Sequence, residues 1–208
     1  TPFQQLAEQL YYGPWVAERT VAVEGVDPAH INPVVRGIVE NGHQYSACDA
    51  YKAEYIRAEL SRRINDALAG FDALVVPTSP TIRTLAEMQA EPVLFNSQFG
   101  TYTNFTNLAD LSALAVPAGL RADGLPAGIT LLAPAWHDQA LAALEDAVPD
   151  TDVHVRGHQV TLRGTDDALR RGEHIRVMLV LQRLPRTFVA PGRSGRRGAL
   201  VPAVLVGL

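Results

Sequence analysis

The segment Leu10 to Arg19 reads LYYGPWVAER and brings a phenol, an indole and a guanidinium close together in the chain. A planar guanidinium can pair both oxygens of a carboxylate, and a Tyr hydroxyl adds a directional hydrogen bond. Gly13-Pro14 is a good helix start, because the fixed φ of Pro suits the first helical position and its missing N–H is no loss there. The helix is predicted to run to about Val23, with Trp15 on one side and Arg19 about one turn further on. The free N–H groups and dipole of such a helix start favour an anion. Tyr11 and Arg19 are therefore candidates for holding a small carboxylate. The alternative is a solvated Glu18/Arg19 face with Tyr11 and Trp15 in the core, and spacing alone leaves both open.

No self-contained catalytic motif accompanies that segment. The chain lacks a GxSxG elbow, a GxxxxGK[ST] phosphate loop, a GxGxxG after a strand and an HExxH. His154 and His158 are spaced i, i+4, but Gly157 lies between them and no carboxylate completes a ligand set, so no metal is expected. His30, His43, His137 and His174 are scattered. Cys48 is expected to be a buried small hydrophobe and Lys52 a solvated charge. Arg193, Arg196 and Arg197 form one basic patch on a net acidic chain, which is too small a footprint to imply nucleic acid. No cofactor is implied.

Patterning around these residues points to an α/β protein. From about Ser46 to Gly70, Ile56, Leu60, Ile64 and Leu68 recur at i+4 among charged residues, predicting an amphipathic helix with Gly70 as its C-cap. Ala73 to Val76 (ALVV), ended by Pro77, reads as a buried strand. Glu24 to Pro33 reads as a loop, and Thr78 to Gln98 as a long, weakly periodic connection. Ser112 to Val116 and Ile129 to Leu132 are predicted to be an antiparallel strand pair around a turn at Asp123-Gly124, and Gln139 to Val148 a helix.

With 208 residues, 47% of them apolar, the chain can bury a substantial core. A single Cys excludes a disulfide framework and fits a cytoplasmic setting. No apolar run is long enough to span a bilayer, so no membrane partner is expected. Residues 1–150 carry 8 Lys and Arg against 18 Asp and Glu, whereas 151–208 carry 10 against 4. That shift suggests two pieces, 1–148 and an Arg-rich tail, 149–208. The tail reads as a divergent domain start, a disordered segment or a shifted reading frame. The first residue is Thr within a helix-like stretch, which suggests a truncated N-terminus.

The stretches LYYGPWVAER, ALVVPTSPT, GTYTNFTNLADLSALAVPAG and DGLPAGITLLAPAWHDQAL resemble the C-terminal half of the amidase signature family. Within it they are most similar to the allophanate hydrolase branch. The resemblance covers roughly residues 1–147 and implies an α/β fold with a mixed central sheet flanked by helices. It implies amidohydrolase chemistry by a Ser nucleophile, a bridging Ser and a Lys base, all carried by an N-terminal half normally preceding these motifs. Serines 46, 61, 79, 97, 112 and 194 lack the family's Gly-Gly-Ser setting, and Lys52 lies in another context. By the same resemblance Tyr11 and Arg19 hold the carboxylate of allophanate, urea bearing a carboxylate. The implied partners are that small-molecule substrate and the missing N-terminal half, with a homodimer left open.

Overall fold

The computed structural model describes residues 1–121, 123–147, 151–156, 159–164, 177–181 and 204–207; from residue 145 onward, only the backbone is described. The chain divides into two compact units. One comprises Thr1–Ala67 and Ser79–Leu111, the other Leu68–Thr78 and Ser112–Leu208.

The first unit is helical. Helix α1 spans Pro2–Tyr12, with the Thr1 side chain accepting from the Gln4 N–H as its N-cap. Helix α2 spans Val16–Ala22 and α3 spans Pro33–Glu40, followed by a 3-10 turn at Asn41–Gln44. Helix α3 had no counterpart in the periodicity, since only Val39 of its eight residues is buried. Its capping signals are present in the sequence, with Asn32 accepting from the Val34 N–H and Pro33 at the first position.

Helix α4, Ala47–Leu68, is the long amphipathic helix the sequence predicts. Its N-terminus is closed by Ser46, whose hydroxyl donates to Asp49 at 2.6 Å and accepts from the Asp49 N–H. Those Ser46 hydrogen bonds hold the Asp49 carboxyl below the ordinary carboxylate range. The buried line runs through Ala53, Leu60, Ile64 and Leu68, while Ile56 is 45% exposed. A strict i+4 series drifts round a helix of 3.6 residues per turn, so Ile56 leaves the face that the other three share. Cys48 is exposed, contrary to the expected burial, because it lies in the first turn of α4, before that line begins.

The segment expected to be a long connection contains α5, Leu85–Ala90, and α6, Pro92–Phe99. Neither has a buried residue, which explains the weak periodicity. Thr84 and Glu87 form a reciprocal capping box at the start of α5. Arg83 lies over the Phe95 ring at 4.3 Å and also donates to Glu87 and Gln98.

Within TNFTNLAD, α7 occupies Phe105–Leu108. Its Phe105 ring meets Phe3 of α1 edge-on, with centroids 4.9 Å apart. Two α4 side chains satisfy the carbonyls at its end: Arg57 donates to Leu108 at 3.1 Å and Ser61 to Ala109 at 3.0 Å. Arg57 is itself gripped by Glu54, which holds the carboxyl down and the guanidinium up in pKa.

The second unit is built on a mixed sheet. Strands β1 (Ala73–Pro77), β2 (Leu111–Leu120) and β3 (Pro126–Pro134) precede helix α8 (Asp138–Ala147). Strands β4 (Thr151–Arg156) and β5 (Gln159–Gly164) form a separate antiparallel pair. With β6 (Val177–Leu181) and β7 (Val204–Gly207), the main sheet has the order β2-β3-β1-β6-β7. Strand β1 is antiparallel to β3, with Val75 opposite Leu131, and parallel to β6.

The turn joining β2 to β3 is closed by the Arg121 main-chain N–H donating to the Leu125 carbonyl. So short a connection between neighbouring strands requires the antiparallel pairing predicted from sequence. Strand β2 nevertheless runs past Pro117, where the sequence suggested a stop. It is the edge of the sheet, where a residue without an N–H is tolerated. Val75, Ile129, Leu131 and Leu141 of α8 lie in the core of this unit. The α/β class and mixed sheet agree with the sequence reading.

Candidate functional site

The loop between α1 and α2 is what places Tyr11 relative to Arg19. Gly13 is extended there, at φ −103° and ψ −179°, and a Cβ on it would lie 2.6 Å from the Gln9 carbonyl oxygen. No side chain fits at that approach, so a glycine lets the chain leave α1 at once and enter α2 after Pro14 and Trp15.

Tyr11 lies in the last turn of α1; its side chain is outside the described residues. Arg19 is half-buried, and its Nη1 donates to the Leu10 carbonyl at 3.4 Å. The predicted helix start is shifted by two residues, since α2 begins at Val16. Arg19, expected about one turn beyond Trp15, falls in the last turn of this seven-residue helix. The N-terminal dipole invoked for an anion is not where the guanidinium is, so charge and geometry of the side chain itself must do the binding. Its acceptor, a main-chain carbonyl, leaves no mark in a sequence.

The neighbouring arginines give the electrostatic contrast. Arg36, Arg57, Arg62, Arg83 and Arg121 each lie within 4.0 Å of a carboxylate. Among the described residues, Arg19 and Arg63 have no such partner, and Arg63 is exposed. A half-buried guanidinium with a long hydrogen bond to a neutral carbonyl, and among the described residues no carboxylate partner, retains capacity for an anion, and its fork suits a carboxylate.

The described serines serve the fold. Ser46 caps α4, Ser61 bonds to Ala109, Ser79 to the Thr81 carbonyl and Ser97 to the Leu94 carbonyl. Ser112 is 7% exposed and sits beside His137 and Asp138, three residue types that could suggest a triad. The geometry says otherwise. Ser112 donates straight to Asp138 at 3.0 Å and accepts from the His137 main-chain N–H at 3.1 Å, while the His137 ring faces the Pro134 and Ala135 carbonyls. This cluster fastens the start of α8 to β2.

Ser112→Ala is accordingly expected to lower stability by about 1–2 kcal/mol, since it strips Asp138 and a main-chain N–H of a partner. Thermal unfolding of the parent and the variant checks this.

Lys52 is exposed on α4, as expected. Among the described residues no group of three His, Cys, Asp or Glu gathers as a metal site, and no helix is long and apolar enough to cross a membrane. His158, His174, Arg193, Arg196, Arg197 and Ser194 lie outside the described residues.

A family model described as Amidase matches residues 19–142. The urea amidolyase of Saccharomyces cerevisiae is 45% identical over 148 residues, covering 69% of this chain and 8% of that protein. The solved structure of Kluyveromyces lactis allophanate hydrolase is 42% identical with a TM-score of 0.67, covering 75% of this chain and 27% of that one. A glutamyl-tRNA(Gln) amidotransferase subunit of Xanthobacter autotrophicus is 31% identical over 136 residues, covering 61% of this chain and 27% of that protein. The chain thus spans well under a third of the length of each of these relatives.

Proposed function

The chain belongs to the amidase family, and from that premise we propose that it is the part of a cytoplasmic allophanate hydrolase that selects the substrate. Such an enzyme hydrolyses urea-1-carboxylate to ammonia and carbon dioxide in urea degradation. The observation that carries this reading is Arg19, half-buried and, among the described residues, without a carboxylate partner. It stands at the position of YxGPWVAER that holds the substrate carboxylate in the branch this chain resembles, with Tyr11 as the second donor. The similarity to urea amidolyase and allophanate hydrolase supports the same substrate.

Allophanate differs from a plain amide by its carboxylate. A guanidinium fork bonded to that group aligns the scissile carbonyl, and a neutral competitor leaves the fork unpaired, which is a strong basis for rejection. The reaction itself is attack of a Ser hydroxyl on the amide carbonyl, loss of ammonia from the tetrahedral adduct stabilised by main-chain N–H groups, and hydrolysis of the acyl-enzyme. Those catalytic groups belong to the remainder of the amidase domain.

The test is ammonia release by the intact enzyme from allophanate and from acetamide. The proposal expects allophanate to be preferred by at least about a thousandfold in kcat/KM, the range of discrimination open to a site whose polar groups would otherwise stay unpaired. The similarity to an amidotransferase protein favours a second reading, an amidase-fold protein of other specificity. Equal turnover of both substrates would support it, and no turnover of either would point to a non-catalytic chain.

A further inference from the structure

We propose that Thr20 and Gly42 are positioning residues that set the orientation of Arg19 and so tune the grip on a carboxylate-bearing substrate. This rests on the role given to Arg19 above and deepens it.

A seven-residue helix does not hold its own place, and α2 takes its orientation from what it packs against. The Thr20 hydroxyl is 3.0 Å from the Val16 carbonyl of its own helix and closer still to the Val39 carbonyl of α3. A hydroxyl has one proton to give. The Val39 contact is the one that ties α2 to another element.

Gly42, buried in the 3-10 turn after α3, closes the same junction. A Cβ on Gly42 would overlap the Thr20 hydroxyl and lie 2.8 Å from the Ala17 Cα. Thr20 could rotate its hydroxyl away only by giving up Val39, and the Ala17 Cα is main chain and cannot rotate at all. A methyl group at Gly42 therefore has to displace α2 itself. A cavity of about 480 Å³ borders the same junction at Ala17, Thr20, Val39 and Gly42.

Successive helical residues are about 100° apart. With Thr20 turned to α3 and the 3-10 turn, Arg19 is turned toward the end of α1, where the Leu10 carbonyl takes its Nη1. Rotating or tilting α2 swings the guanidinium plane. Two parallel N–H···O bonds to a carboxylate tolerate little of that, whereas a substrate that does not use the fork is indifferent to it.

The experiment uses the intact enzyme with Gly42→Ala, Thr20→Val, Thr20→Ser and Arg19→Ala. For each, KM and kcat on allophanate are set beside the competitive inhibition constant of biuret, in which a carboxamide stands where allophanate has its carboxylate. Gly42→Ala and Thr20→Val are expected to raise KM for allophanate about tenfold, with kcat and the biuret constant changed less than about threefold, the scale of a displacement short of 1 Å. Thr20→Ser keeps the hydroxyl and is expected to restore KM to near the parent value.

Equal weakening toward both compounds, or no change in either, overturns the clamp. If Gly42→Ala gives no folded enzyme, the Thr20→Val and Thr20→Ser pair decides by the same criteria. Separation of the two compounds by Arg19→Ala but not by the clamp variants overturns the clamp alone. Separation by none of them overturns the carboxylate role and the clamp with it.

Discussion

Arg19→Ala in the intact enzyme is expected to lower kcat/KM for allophanate by about a hundredfold, roughly 3 kcal/mol, the lower part of the range for truncating one partner of a hydrogen-bonded charge pair. The lower part applies because Arg19 is half-buried, so water screens some of the interaction. Binding of biuret is expected not to weaken, since that complex has no ion pair to lose and leaves the fork short of its carboxylate. Arg19→Lys is expected to recover little, because a point charge does not reproduce a planar fork. The loss is expected mainly in KM, as for the Gly42 and Thr20 variants, because the grip on the carboxylate is equal in ground and transition states. Equal losses on allophanate and biuret would remove Arg19 from substrate recognition.

The second large effect is an absence of turnover. The 208-residue chain by itself is expected to release no ammonia from allophanate above the uncatalysed background. A Ser nucleophile needs a base within hydrogen-bond reach. Ser46, Ser61, Ser79, Ser97 and Ser112 are each hydrogen-bonded to an acceptor within the fold, and Lys52 is exposed on α4. Ammonia release by the purified chain, abolished by a point substitution within it, would show that a nucleophile has been overlooked.

What could be read in the sequence follows from where each signal originates. Helix α4 and strands β1 and β3 were legible because each buries a face against a core, and burial is what imposes periodicity. Helices α3, α5 and α6 bury little, so only their termini were visible, in Asn32-Pro33 and in Thr84 with Glu87. Pro117 was misleading because its effect depends on whether a strand is central or at an edge, which is a property of the assembled sheet. Ile56 shows a related limit, since a run of i+4 spacings does not stay on one face.

The candidate site was legible in residue type and not in mechanism of placement. Tyr11 and Arg19 stood out as a donor pair, and the helix start expected at Pro14 lies two residues later, at Val16. The features that hold Arg19 are a main-chain carbonyl at Leu10, a hydroxyl reaching from Thr20 to Val39, and a missing methyl at Gly42. None has a local sequence signature, because each is a meeting of segments distant in the chain.

Strand β1 has a bearing on how the protein is made. Both of its neighbours in the sheet, β3 and β6, are encoded after it, and Ala73 pairs with Val177. At a synthesis rate of about 5–20 residues per second, the ALVV segment leaves the ribosome several seconds before β3 and longer before β6. Through that interval its two edges present unpaired main-chain groups beside four apolar side chains, a template for wrong pairing with another nascent chain. Yield of native protein should therefore depend on how fast translation supplies β3, and slow codons between residues 78 and 126 would be costly in a way no property of the finished fold reveals.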